Sequence, residues 1–166
     1  MRHLFWLREG VIAGRSGPNR DGWSVNELAE GGIGAVLSVN DGELVHSNDL
    51  SAAGISYSCI PLSDSAPPRP DDLQICVGAL PRALSFAVSS IEAGRSVLVH
   101  CSSGKDRTGM FLSYYLCAVE GLAPVRAIGE VRRVRPIALS AEGWEAFALA
   151  VLRELVGEKD DGIAVA

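Results

Sequence analysis

Residues 96–119 read Ser-Val-Leu-Val-His100-Cys101-Ser102-Ser103-Gly104-Lys105-Asp106-Arg107-Thr108-Gly109 and then an apolar run from Met110 to Val119. Residues 96–99 have the composition of a short buried strand, and residues 110–119 that of an apolar helix. Between them Cys101 and Arg107 are separated by five residues, and a chain of that length wraps into a cradle the size of one phosphate. A tight Gly-containing loop between a strand end and a helix N-terminus turns successive backbone N–H groups inward, at the positive end of the helix dipole. The amides that bind an anion there also stabilise a thiolate. A Walker A loop is excluded, because no Ser or Thr follows Gly104-Lys105.

His-Cys-x5-Arg-Thr-Gly resembles the signature of the cysteine-dependent protein tyrosine phosphatase superfamily. The resemblance implies hydrolysis of phosphomonoesters through a phosphocysteine. Arg107 supplies a planar fork that holds two phosphate oxygens, which Lys cannot do. The backbone amides of Ser102, Ser103, Gly104, Lys105, Asp106 and Arg107 take the remaining oxygens. Cys101 is the expected nucleophile, and Thr108 is placed to hydrogen-bond its sulfur as it leaves. His100 is expected to order the loop rather than to transfer protons.

The reaction also needs a proton for the leaving oxygen. Residues 60–68, Ile-Pro-Leu-Ser-Asp-Ser-Ala-Pro-Pro, follow a strand-like run and are rich in turn formers. In the dual-specificity branch of the superfamily an Asp in such a loop precedes the cysteine by some tens of residues, and Asp64 matches it. Asp71 and Asp72 read instead as a helix start. The order of parts separates the chain from relatives. Low-molecular-weight phosphatases and arsenate reductases carry the Cys-x5-Arg loop near the N-terminus, and rhodanese-like sulfurtransferases lack the Arg-Thr-Gly ending.

The resemblance extends to Gly10-Val-Ile-Ala-Gly-Arg15-Ser-Gly-Pro18, similar to the opening of many small phosphatases of this branch. It also takes in Glu130-Val-Arg-Arg-Val-Arg135-Pro136, similar to their post-signature helix. Many relatives carry a water-positioning glutamine shortly after that Arg-Pro. The one glutamine here is Gln74, so Asp64 alone, or Ser140 or Glu142, would have to serve the second step.

The remainder alternates. Strands are expected at 3–7, 11–13, 33–39 and 55–60. Helices are expected at Val25–Glu30 behind Ser24, at 48–53, at 71–93 with Pro81 kinking or dividing it, at Pro124–Val134 and at 141–156. The expected fold is a single α/β domain over residues 1–156, with a mostly parallel sheet of four to five strands flanked by helices. Residues 157–166 are expected to fray.

The chain has 166 residues, 48% of them hydrophobic, and a net charge of −5. That balance argues against nucleic acid and anionic membranes as partners. Residues 3–7 are too short for a signal peptide, and no apolar stretch of 18 residues is read, so no membrane insertion is expected. Four cysteines without CxxC spacing give neither a zinc site nor a disulfide framework, so no metal or cofactor is expected. A catalytic thiolate suits a reducing, cytoplasmic setting. Cys59 is a possible redox partner for Cys101, or else a buried strand residue. The expected substrate is a phosphorylated protein or a small phosphomonoester. An inositol phosphate or phosphoinositide is the alternative, motivated by Lys105, and a phosphate-binding module without turnover is the other.

Overall fold

The computed structural model describes residues 1–158. The fraying expected of 157–166 falls mostly outside the described residues. Strands β1 (Phe5–Arg8) and β2 (Ile12–Ser16) form an antiparallel pair. Then come α1 (Val25–Glu30), β3 (Ile33–Ser38), α2 (Ser47–Ala52), β4 (Ser56–Cys59), α3 (Asp72–Glu92), β5 (Ser96–Cys101), α4 (Asp106–Glu120), α5 (Pro124–Val134) and α6 (Trp144–Val156). The sheet order is β1-β2-β5-β3-β4, parallel except for the first pair. β5 is therefore central, and the turns leaving β2 and β3 flank the one leaving β5. That switch of direction is where open α/β sheets bind ligands.

Side-chain alternation along β5 sorts the core. Val97, Val99 and Cys101 face the larger cluster, built with α3, α4, α5 and α6, while Leu98 faces a smaller one under α1 and α2. Cys101 and His100 thus point to opposite faces. Burying each such aliphatic side chain stabilises the fold by about 1.5–3 kcal/mol. Ile33 and Val36 share the smaller cluster because the register of β3 on β5 shifts between Ile33 and Ala35.

Local signals explain several boundaries. Ser24 Oγ accepts from Glu27 N–H and Glu27 returns a bond to Ser24 N–H, a capping box that opens α1. Gly121, at φ 72°, ends α4, and Pro124 opens α5 at its first turn. Pro81 does not divide α3, which runs unbroken; the ring is exposed and removes a single helical hydrogen bond.

α3 also departs from the reading that no long apolar stretch exists: among the described helices it alone is long and apolar enough to cross a bilayer. Here Cys76, Ala79, Leu80, Ala83 and Ala87 form a buried stripe that packs α3 on β3, β5 and α6. It is a core helix of this fold.

Candidate active site

α4 begins at Asp106, four residues earlier than its apolar run suggests. Asp106, Arg107 and Thr108 therefore form a helical first turn, and no side chain caps it. Their N–H groups have no acceptor within the helix and face the loop before it.

The carbonyls of the loop are all engaged outside its centre. Cys101 O accepts from His100 Nδ1 at 2.9 Å, and Ser102 O from Gly17 N–H at 2.9 Å. Ser103 O and Gly104 O accept from Arg135 Nη2 and Nε, at 2.8 and 3.2 Å. Lys105 O accepts from Gly109 N–H at 3.1 Å. Five successive carbonyls are thus tied away from the centre. In a trans peptide the N–H of the next residue points opposite to the carbonyl, so the amides of residues 102–106 turn toward it.

Gly104 makes this path possible. Its φ is +61°, and a Cβ there would lie 2.4 Å from the Arg15 carbonyl carbon and oxygen. Gly17 is equally confined: a Cβ there would lie 2.3 Å from Cys101 O. Arg15 is buried and binds the carbonyls of Arg2, Ser16, Asp21 and Gly22, which fixes the turn after β2.

The sequence-predicted residues converge on this cradle. Cys101 is buried, and Thr108 Oγ1 donates to its Sγ at 3.1 Å. Arg107 lies with its guanidinium 5.0 Å from the Trp144 ring, a cation–π contact, and its Nε donates to Ser63 O. With Nε engaged, the Nη pair keeps four N–H donors for an anion. Ser63 precedes Asp64, so the acid-bearing loop is tethered to Arg107. Asp64 is exposed beside that tether.

Asp72 is buried and anchors the same loop. Burial alone would raise its carboxyl, but hydrogen bonds from Arg69 N–H, at 2.6 Å, and from the Ser63 and Ser65 hydroxyls hold it below the usual value. Together with Asp71 as the N-cap, this agrees with reading the pair as a helix start. Lys105 is paired with Asp106 at 3.6 Å, and Asp106 Oδ1 also accepts from Ala141 N–H at 3.3 Å. That bond ties the turn between α5 and α6 to the cradle. Ser140 and Glu142 are exposed on this turn. The group it brings to Arg107 is the Trp144 indole rather than a carboxamide.

His100 is fully buried, and burial pushes its imidazole down to about 4. With Nδ1–H donating to Cys101 O, its Nε2 accepts from Ser38 Oγ at 2.5 Å, and Ser38 Oγ accepts in turn from Tyr57 Oη at 2.8 Å. A neutral, oriented imidazole fits an ordering role. Cys59 is neither buried nor a neighbour of Cys101. It is exposed at the end of β4, pairs with Ser38, and Ser38 pairs with His100. Two strand spacings, about 10 Å, separate it from β5, beyond the reach of a disulfide.

Sequence reasoning missed Arg135 and Arg15 as braces of the cradle, and Trp144 as the platform under Arg107. Arg135 carried one signal, its place in the Arg-Pro ending of α5.

The family described as Swiss Army Knife protein, DSP-PTPase phosphatase domain, matches residues 1–155. Dual specificity protein phosphatase 12 of Rattus norvegicus is 30% identical over 118 residues, 71% of this chain and 33% of that protein. The Mus musculus protein of the same name is 31% identical over 143 residues, 86% of this chain and 39% of that protein. The chain thus spans between a third and two fifths of the curated relatives it matches. Among solved structures, Tk-PTP in the active form superposes with a TM-score of 0.71 at 26% identity, covering 93% of this chain and 96% of that one. Human DUSP28 shares the fold, with a TM-score of 0.69 at 19% identity over 93% of this chain and 96% of that one. A cradle of inward amides around a cysteine and an arginine, on this sheet and in this order, agrees with those likenesses: the chain belongs to the dual-specificity-type phosphatase domains of the cysteine-dependent protein tyrosine phosphatase superfamily.

Proposed function

We propose that this domain is a metal-independent phosphomonoester hydrolase acting on phosphotyrosine-bearing protein through a phosphocysteine. One observation carries the reading: five consecutive carbonyls are bonded outward around the Cys101 sulfur, so the loop offers donors to a tetrahedral dianion. In the first step the Cys101 thiolate attacks phosphorus. An S–P bond forms, the P–O ester bond breaks, and the Asp64 carboxyl gives its proton to the departing oxygen. General acid catalysis of this kind contributes about 10²–10⁴ in rate. In the second step water attacks phosphorus, Asp64 takes its proton, and the S–P bond breaks. The Thr108 hydroxyl, already on the sulfur, stabilises the departing thiolate. Arg107 holds the equatorial oxygens through both steps. A reducing, cytoplasmic setting would keep the thiolate competent.

The inositol-directed alternative rested on Lys105 as a cation for a second phosphate. Its pairing with Asp106 weakens that role. The non-catalytic alternative is weakened because Cys101, Arg107, Thr108 and Asp64 are all retained. Steady-state kinetics on phosphotyrosyl and phosphothreonyl peptides and on inositol phosphates, in chelator-containing buffer, tests the proposal. Highest kcat/KM is expected on phosphotyrosyl peptide. Higher efficiency on an inositol phosphate would overturn the substrate assignment, and a requirement for added metal would overturn the mechanism.

A further inference from the structure

A cleft of about 480 Å³, lined by Pro18, Trp23, Leu44, His46, Asp49 and Leu50 among others, opens between the turn after β2 and the segment from β3 to α2. Strand order makes this position informative. β2 and β3 are the two neighbours of β5, so the segments leaving them straddle the end of β5, where Cys101 lies. The contacts agree. Pro18 sits between Gly17, whose N–H binds Ser102 O, and Asn19, whose amide nitrogen donates to Ser102 Oγ at 3.0 Å. The Trp23 indole meets the His100 ring edge-on, with centroids 5.1 Å apart. The cleft therefore adjoins the loop at Ser102, on the His100 face of the sheet, and is not part of the cradle.

Its lining is mostly apolar, with one carboxylate, Asp49, and one imidazole, His46. Leu44, 53% exposed, and the half-buried Trp23 supply hydrocarbon, above a buried floor that includes Leu50; the Arg15 guanidinium lies 5.2 Å from the Trp23 ring centroid, so Leu44 is the freer platform. The two segments, residues 17–24 and 39–50, carry Asp21, Asp41, Glu43 and Asp49, against Arg20 and the titratable His46. Asp21 is engaged with Ser16 and His3, whereas Asp49 takes part in no ion pair among the described residues. A long basic side chain matches such a surface, laying its hydrocarbon stem on apolar groups while its charged head meets a carboxylate. An anionic lipid surface or a second phosphate would be repelled.

We infer that this cleft is a specificity subsite for a Lys or Arg side chain of a phosphotyrosyl substrate, near the phosphorylated residue. The inference rests on the phosphatase reading above. The segments leaving β2 and β3 each start one strand spacing, about 5 Å, from β5, and extended peptide rises about 3.3 Å per residue. The positions to scan are therefore the three on each side of the phosphotyrosine.

The test compares synthetic phosphotyrosyl peptides that differ by one Lys, Leu or Glu, scanned over three positions on each side. They are assayed at fixed pH and low salt with wild type, Asp49→Asn, Asp49→Lys and Leu44→Ser. para-Nitrophenyl phosphate serves as the reference, because it fills the cradle without reaching the cleft. At one or more positions wild type should favour Lys over Glu by about three- to tenfold in kcat/KM, as one exposed charge contact with a hydrocarbon platform allows. Asp49→Asn and Leu44→Ser should each shrink that ratio, and Asp49→Lys should abolish or reverse it. Rates on the aryl phosphate should stay within about twofold, which also reports correct folding.

Turnover of the aryl phosphate with no Lys preference, or with one that survives Asp49→Lys, would overturn the subsite alone. So would faster hydrolysis of phosphatidylinositol phosphate in vesicles than of the best peptide. No turnover of the aryl phosphate by wild type would overturn the phosphatase reading and this inference with it.

Discussion

Two loops meet at Arg107, and they are held in different ways. The loop after β5, residues 102–105, is fixed from outside: a residue of β5, the turn after β2, the end of α5 and α4 itself each bind one or two of the carbonyls from Cys101 to Lys105. The loop after β4, residues 60–71, is held at its start by Ile60 and Leu62 N–H on the Ser38 and Val39 carbonyls, and beyond that largely from within and from α3. Ser65 N–H binds Ser63 Oγ, Asp72 gathers Arg69 N–H and two serine hydroxyls, and Ser63 O meets Arg107. The difference follows from the work proposed for each. A cradle for a dianion must have its donors oriented before the charge arrives. A proton donor must only reach one oxygen at the mouth, so a single tether suffices.

The largest effect is expected at the residue where the two loops join. Arg107→Lys removes the bidentate fork, the Trp144 stack and the Ser63 tether together, and kcat/KM on aryl phosphates should fall by about 10³ or more. If that variant lost less than tenfold, the cradle would not depend on the fork. On the acid side, Asp64→Asn should lower kcat by about 10²–10⁴ for phenyl phosphate but far less for an activated aryl ester. The basic limb of the pH–rate profile should vanish with it. An unchanged profile would move the acid to Asp71.

On the cradle side, Arg135→Ala should cost about ten- to a hundredfold in kcat/KM while Asp64-dependent leaving-group sensitivity persists. Two loop carbonyls lose their partner, each worth about 1.5–3 kcal/mol when bonded to a charged group. Arg135→Lys should rescue little, since one ammonium cannot hold both carbonyls in the same plane. Wild-type rates in either variant would mean that the loop holds its shape without this brace.

A separate effect falls on stability and not on turnover. The His100 imidazole titrates near 4 in the folded protein against about 6.5 unfolded, so the unfolded chain binds more protons between those values. Stability should be complete above about pH 6.5 and decline as pH falls toward 4, by at most about 3 kcal/mol from this residue. Urea unfolding at a series of pH values measures the slope. A flat profile from pH 7 to 5 would mean that His100 is not held neutral.

The same contrast explains what was legible in the sequence. The cradle could be read because its chemistry lies within ten consecutive residues, and the parallel sheet because apolar runs alternate with turn signals. The start of α4 was placed too late: Asp106, Arg107 and Thr108 are polar, and periodicity finds a helix only where an apolar face begins. Arg15 and Arg135 looked like flank and boundary because their partners are backbone carbonyls that no residue pattern marks, some of them about thirty residues away. Cys59 was misread because strand order, not sequence spacing, puts β3 between it and Cys101.

The proposed mechanism requires Cys101 to become covalently phosphorylated. The direct measurement is rapid acid quench of wild type and Cys101→Ser mixed with an aryl phosphate, followed by mass analysis of the peptide containing residue 101. An added phosphoryl group on Cys101 should accumulate within the first turnover. In Cys101→Ser the adduct and turnover should both be absent, with phosphate still bound. Turnover by wild type without that adduct, or persistent turnover by Cys101→Ser, would contradict that mechanism.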